Sequence, residues 1–164
     1  MAAPSHKKVL IARFEKAPQQ GFLQLPEGLR ADTVELVNPD GNLLAIPLAE
    51  VRLICFVREF EDVETWMKHR TFLNRPKTSG LWLRLKFLDG QVIEGIMPNN
   101  LLQAEPAGFS IIPPDPTFQN QRIFVPREAV TTVEVLGVIG SSLRKAKAKP
   151  AVEPDKETQL KMFE

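Results

Sequence analysis

The chain has 164 residues, 43% of them hydrophobic and 25% charged, a balance that belongs to folded globular proteins rather than disordered ones. Its 21 basic and 20 acidic side chains leave a formal net charge of +1. That is far from the basic excess with which dedicated nucleic-acid binders neutralise phosphates. The 14 prolines and 9 glycines are spread without a period and punctuate many short elements, which favours strands over long helices.

Residues 7–58 read as a first unit of five short strands. Its opening hairpin turns through Glu15-Lys16-Ala17-Pro18-Gln19, and its third turn is Asn38-Pro39-Asp40-Gly41-Asn42, which is rich in residues that tolerate tight backbone bends. Its last strand carries the apolar run Leu53-Ile54-Cys55-Phe56-Val57. Cys55 is the one cysteine, so it has no partner for an internal disulfide, and it reads as a small buried hydrophobe.

Residues 59–80 read as a helical connector. Phe60, Val63, Trp66, Met67 and Leu73 recur at helical spacing, acidic residues come first and Lys68, His69 and Arg70 come last, which suits the helix dipole.

Residues 81–140 read as a second unit of five strands. Leu81, Leu83, Leu85 and Phe87 alternate with Trp82, Arg84 and Lys86, a period of two that buries one face of a strand. Asp89-Gly90 supplies a tight hairpin turn. The remaining strands run from Gln91 to Met97, Phe109 to Ile112, Arg122 to Val125 and Val130 to Leu136, with one tight helical turn at Pro126-Arg127-Glu128-Ala129.

Residues 141–164 turn polar and Pro-containing, cannot bury enough surface to fold, and read as a disordered tail. An apolar cluster closes it.

The two units match in order. Arg13-Phe14 aligns with Lys86-Phe87, Gly21 with Gly95, Val34-x-Leu36-Val37 with Phe109-x-Ile111-Ile112, and Ile46-Pro47-x-x-Glu50-Val51 with Val125-Pro126-x-x-Ala129-Val130. The expected fold is therefore mostly β: two tandem five-stranded small barrels joined by one helix. Five short antiparallel strands with a tight turn before the fifth is similar to the plan of SH3-like and Sm-like barrels, and the Ile46–Val51 and Val125–Val130 segments carry that resemblance. The whole chain also resembles an uncharacterised bacterial family of tandem small β-barrel proteins, through Asp89-Gly90, Gly108-Phe109 and Val125-Pro126. The first unit departs from that pattern at its hairpin, and the resemblance implies no activity.

No catalytic, cofactor-binding or metal-binding constellation is legible. His6 and His69 lie far apart, Gly137-Val138-Ile139-Gly140 lacks the Lys-Ser/Thr of a phosphate loop, and no Gly-x-Ser-x-Gly elbow occurs. Met1–Lys8 lacks the apolar core of a secretory signal, and no apolar run approaches the roughly 20 residues that span a bilayer. The expectation is a cytoplasmic, non-enzymatic interaction or adaptor protein whose partner is another protein, without metal or membrane. Barrels of this size often bind peptides along an edge or groove.

Two alternatives carry residues. One is Sm-like binding of nucleic acid through Arg84, Lys86, Arg122 and Arg127. The other rests on Gln159-Leu160-Lys161-Met162-Phe163, which resembles the short peptide with which bacterial replication and repair proteins bind the sliding clamp. The resemblance implies that Gln159 makes polar contacts at the pocket rim, Leu160 flanks it, and Met162 and Phe163 fill an apolar pocket. Lys161 departs from the polar or acidic residue common at that place.

Overall fold

Among the described residues, short apolar runs between turn residues become ten antiparallel strands. The computed structural model describes residues 5–25, 28–30, 32–60, 70–100, 102, 105–114 and 120–140, and for residues 5, 25, 120 and 121 the backbone alone. The strands are β1 (Ser5–Arg13), β2 (Gln19–Leu25), β3 (Thr33–Val37), β4 (Leu43–Pro47), β5 (Val51–Val57), β6 (Gly80–Phe87), β7 (Val92–Met97), β8 (Gly108–Ile111), β9 (Asn120–Pro126) and β10 (Val130–Ile139). A single 3₁₀ turn, Leu48–Glu50, leads into β5, and another, Arg127–Ala129, leads into β10. Among the described residues there is no α-helix. Residues 61–69, the body of the expected connector helix, and the tail 141–164 lie outside the described residues.

The turns form where their chemistry placed them. Gly41 (φ 92°) closes the β3–β4 turn, with the Asn38 side chain accepting the Asn42 N–H at 2.8 Å. Gly90 (φ 89°) closes the β6–β7 hairpin, where Asp89 accepts the Gln91 N–H at 3.1 Å. Both are left-handed conformations that glycine adopts without penalty.

The sheets depart from two separate barrels. One sheet has seven strands in the order β4-β3-β2-β1-β5-β9-β8, and the other has three in the order β10-β6-β7. Neither is closed into a barrel. The physical reason is β5. One edge pairs with β1 and the other with β9, so β8 and β9 of the second half continue the sheet of the first. Ile96 and Ile112 exchange hydrogen bonds of 3.0 and 2.9 Å, linking β7 to the chain just after β8.

Equivalent pairings recur in the two halves. Val9 faces Gly21 and Phe56, as Leu83 faces Gly95 and Val135. Leu36 faces Leu44, as Ile111 faces Ile123. The Phe22–Val37 pair in the first half has its counterpart in the Ile96–Ile112 bridge. Register corrects one detail of the sequence alignment. Arg13 faces Val51 and Phe87 faces Val130, so Phe87 occupies the place of Arg13 rather than of Phe14. Phe14 corresponds to Leu88: their N–H groups donate to Glu50 O and Ala129 O at 3.1 and 3.0 Å.

Two cores lie on either side of β5, every residue of which is buried. Val51, Ile54 and Phe56 join Val9, Ile11, Leu23, Val34, Leu36 and Phe124 in one cluster. Leu53, Cys55 and Val57 join Leu10, Leu83, Leu85, Phe87, Ile93, Ile111 and Ile123 in the other. A strand covered on both faces reads as a continuous apolar run, which is what residues 53–57 are. In β6 the alternation holds: Leu83, Leu85 and Phe87 are buried while Arg84 and Lys86 are exposed.

Candidate functional site

A cleft opens where β7 and β8 part. Pro98, which has no N–H to donate, follows β7 directly, and the Ile96–Ile112 exchange is the last rung between the two segments. Beyond that rung lies a space of about 390 Å³ whose walls include Ile96, Met97, Phe109 and Ile111, with Arg122, Arg127 and Glu105 among its polar lining.

The backbone of β8 presents an edge to this cleft. Ile112 turns both its N–H and its carbonyl toward Ile96, and backbone direction alternates along a strand. Two residues back, Ser110 therefore turns its N–H and C=O the same way, while Phe109 and Ile111 pair with β9. In the first half the corresponding edge is covered. Glu35, the counterpart of Ser110, donates its N–H to Gly28 O at 2.7 Å, and Leu29 bridges to Val34. An added Cβ at Gly28 would lie 2.7 Å from Leu23 Cδ1 and 2.9 Å from Glu35 O, so only glycine lets the chain approach so closely.

Two guanidinium groups flank the open edge. Arg122 on β9 stacks over Phe56, 4.3 Å from the ring centroid, and Arg127 over Phe109 at 5.2 Å. Arg127 also donates Nε–H to Pro106 O at 3.1 Å, and its own N–H to Ala107 O at 2.9 Å, which fixes the base of the side chain. Among the described residues, no carboxylate pairs with either arginine. Glu105 instead accepts a short hydrogen bond from the Ser110 hydroxyl.

The four basic residues singled out in the sequence thus divide. Arg122 and Arg127 come together in the cleft. Arg84 and Lys86 stand on β6, away from it. Arg84 is matched by Glu94 at 3.2 Å and Glu134 at 3.5 Å. Gln159, Leu160, Met162 and Phe163 lie outside the described residues.

Two charged residues have roles that were not anticipated. Glu94 is buried, accepting the Phe72 N–H at 3.1 Å, the Trp82 indole N–H at 3.2 Å and a guanidinium N–H of Arg84 at 3.2 Å. Arg52, buried within β5, pairs with Asp89 at 2.5 Å and lies 4.7 Å from the Phe14 ring centroid and 5.3 Å from that of Phe87. This pair ties the first half to the β6–β7 turn of the second. The Arg52 hydrogen bond holds the Asp89 carboxyl below the usual carboxylate range; burial opposes the shift, and the Gln91 N–H adds to it. Each is a charge inside an otherwise apolar run, Val51–Val57 and Val92–Met97, and that was the available signal.

Among the described residues, no group of three or more His, Cys, Asp or Glu is placed to hold a metal ion. No helix among them is long and apolar enough to cross a membrane. A family model described as a family of unknown function, DUF6982, matches residues 5–137. Neither the curated proteins nor the solved structures contain a match.

Proposed function

The chain belongs to DUF6982, a family of unknown function, and from that premise we propose that it is a non-catalytic interaction protein that captures an extended segment of another protein in the cleft beside β8. The observation that carries this reading is the contrast between the halves. At Glu35 the strand edge is covered by the extended segment Gly28–Arg30 of the chain itself, while among the described residues no backbone group bonds the matching edge at Ser110, which faces the cleft between the Gly108–Glu105 and Ile112–Ile96 bridges. The first half thus supplies a template for the occupant: a short extended strand, hydrogen-bonded through its backbone. Apolar walls favour a large apolar side chain, and the two arginines favour an acidic neighbour. This reading takes the halves as copies of one small barrel-like unit, supported by the recurring registers and the matched 3₁₀ turns.

Panning a random peptide library against the full chain tests it. Enriched peptides should place an acidic and a large apolar residue on alternate positions. Their affinity should fall by about tenfold or more with Ser110→Pro, which deletes the outward N–H while sparing the β8–β9 ladder, and with Arg127→Glu. Failure to enrich any peptide, or indifference to both variants, overturns the reading.

One observation favours a second reading, binding of nucleic acid: Arg122 and Arg127 share the cleft. Glu105 in the same lining and the pairing of Arg84 with two glutamates weigh against it. A mobility shift with random RNA or DNA that weakens steeply with salt would favour this reading over the first.

A further inference from the structure

The pairing of β5 with β9 joins the fifth strand of one half to the fourth strand of the other. The corresponding strands at the far ends are β10, the fifth strand of the second half, and β4, the fourth strand of the first. Each pairs on one side, β10 with β6 and β4 with β3; among the described residues no strand covers the other side. We propose that this protein associates head to tail with a second copy of itself, β10 of one chain pairing antiparallel with β4 of the next. The proposal rests on the matched registers, not on the peptide reading of the cleft.

The in-chain junction fixes the register. Ile54 faces Phe124, Cys55 faces Ile123 and Phe56 faces Arg122. Pairing with β1 and β6 equates these β5 residues with Val133, Glu134 and Val135, because Ile11 faces Ile54 as Leu85 faces Val133, and Val9 faces Phe56 as Leu83 faces Val135. Pairing with β3 and β8 equates Phe124, Ile123 and Arg122 with Ala45, Leu44 and Leu43, because Leu36 faces Leu44 as Ile111 faces Ile123. Carried to the free edges, the register sets Val133 opposite Ala45 and Val135 opposite Leu43.

All four of these residues are exposed. Leu43 is 68% exposed, Val135 56% and Val133 38%, and Ala45 is exposed too. Neither edge carries an outward lysine or a proline in mid-strand, and the two bulges of β10, at Thr131 and Leu136, fall outside Val133–Val135. A register taken from one junction therefore brings together the apolar side chains of two edges that do not meet within the chain. Cross-strand apolar pairs of this kind are the unit of sheet stabilisation. Because the two surfaces differ, the contact is heterologous and continues into a ring or an open chain.

The test uses two full-length variants with Lys on one edge each: Val133→Lys/Val135→Lys on β10 and Leu43→Lys on β4. All three positions are exposed, so folding should be intact, which circular dichroism checks. Sedimentation velocity on wild type at submillimolar concentration should show assemblies of two or more chains. Each variant alone should run as a single chain. An equimolar mixture should give a species of two chains and nothing larger, because one intact β10 then meets one intact β4. A monomeric wild type overturns the proposal, as does assembly of Leu43→Lys alone, which would mark a symmetric β10–β10 contact. A mixture that stays monomeric overturns it as well.

Discussion

Truncating Phe87 should remove a keystone between the halves. The ring is fully buried, meets Phe14 edge-on with centroids 6.4 Å apart, and carries the Arg52 guanidinium 5.3 Å from its centroid. Phe→Ala at a buried site costs about 3–5 kcal/mol through lost transfer energy and the cavity left behind. Here the truncation also strips one of the two rings that cover a buried cation, which places the expected loss toward the upper part of that range. At the lower end of the typical stability of about 5–15 kcal/mol, this leaves the variant partly unfolded at room temperature. Urea titration followed by circular dichroism measures the loss as a lower midpoint at unchanged slope. Because β5 contributes to both cores, amide signals of Leu23 in the first half and Leu85 in the second should disappear together. A loss below about 1 kcal/mol would refute the packing assigned to Phe87. Separate transitions for the two amides would refute the shared core.

Four further outcomes are open to measurement. The folded-state pKa of Asp89 is lowered, so the pair with Arg52 contributes stability that is present above the unfolded value and lost as pH falls through the folded one. Asp89→Asn should therefore be less stable than wild type at pH 7, with the gap closing on acidification below about pH 4, as thermal melts across that range would record. Gly95→Ala would place a Cβ 2.6–2.9 Å from three atoms of the Ile111 side chain and should cost about 1–3 kcal/mol by the same urea titration. Gly41→Ala, which meets no atom within 4 Å, should show only the strain of its positive φ, about 1 kcal/mol. For the C-terminal peptide, a fluorescent peptide of residues 155–164 titrated against purified sliding clamp should bind more tightly than its Met162→Ala/Phe163→Ala version; equal binding removes that proposal.

Local chemistry carried much of the fold into the sequence. The Leu83-x-Leu85-x-Phe87 alternation marked a strand and its buried face, and Asn38–Asn42 and Asp89-Gly90 marked turns that formed as expected. Gly21 and Gly95 were matched by order alone. The structure supplies the reason: an added Cβ at either would strike the side chain opposite, Leu36 or Ile111. What the sequence did not carry is long-range. Nothing local in β5 or β9 says that they pair with each other, since an apolar run buried on both faces looks alike whatever covers it. That pairing is why the halves merge into a seven-stranded sheet instead of standing as two barrels. The one-residue error at Phe87 has a related cause. Matching by residue type set Phe14 on Phe87, whereas the bulges at Arg52 and Thr131 fall at equivalent places and leave Arg13 opposite Val51 as Phe87 is opposite Val130, a pairing visible only across strands. Of the candidate site, the two arginines were legible as charges on a strand and a turn. The cleft between them was not, because it depends on where β7 and β8 stop pairing.

Residue-resolved hydrogen exchange at Ser110 and Glu35 bears most directly on the central claim, that one strand edge is filled by the chain itself and its counterpart is open for a partner. In the free protein the Glu35 amide, bonded to Gly28 O, should exchange slowly and the Ser110 amide much faster. Adding a saturating peptide selected by panning should slow Ser110 by about tenfold or more and leave Glu35 unchanged. A Ser110 amide already as protected as Glu35 in the free protein, or one unmoved by bound peptide, would contradict the account.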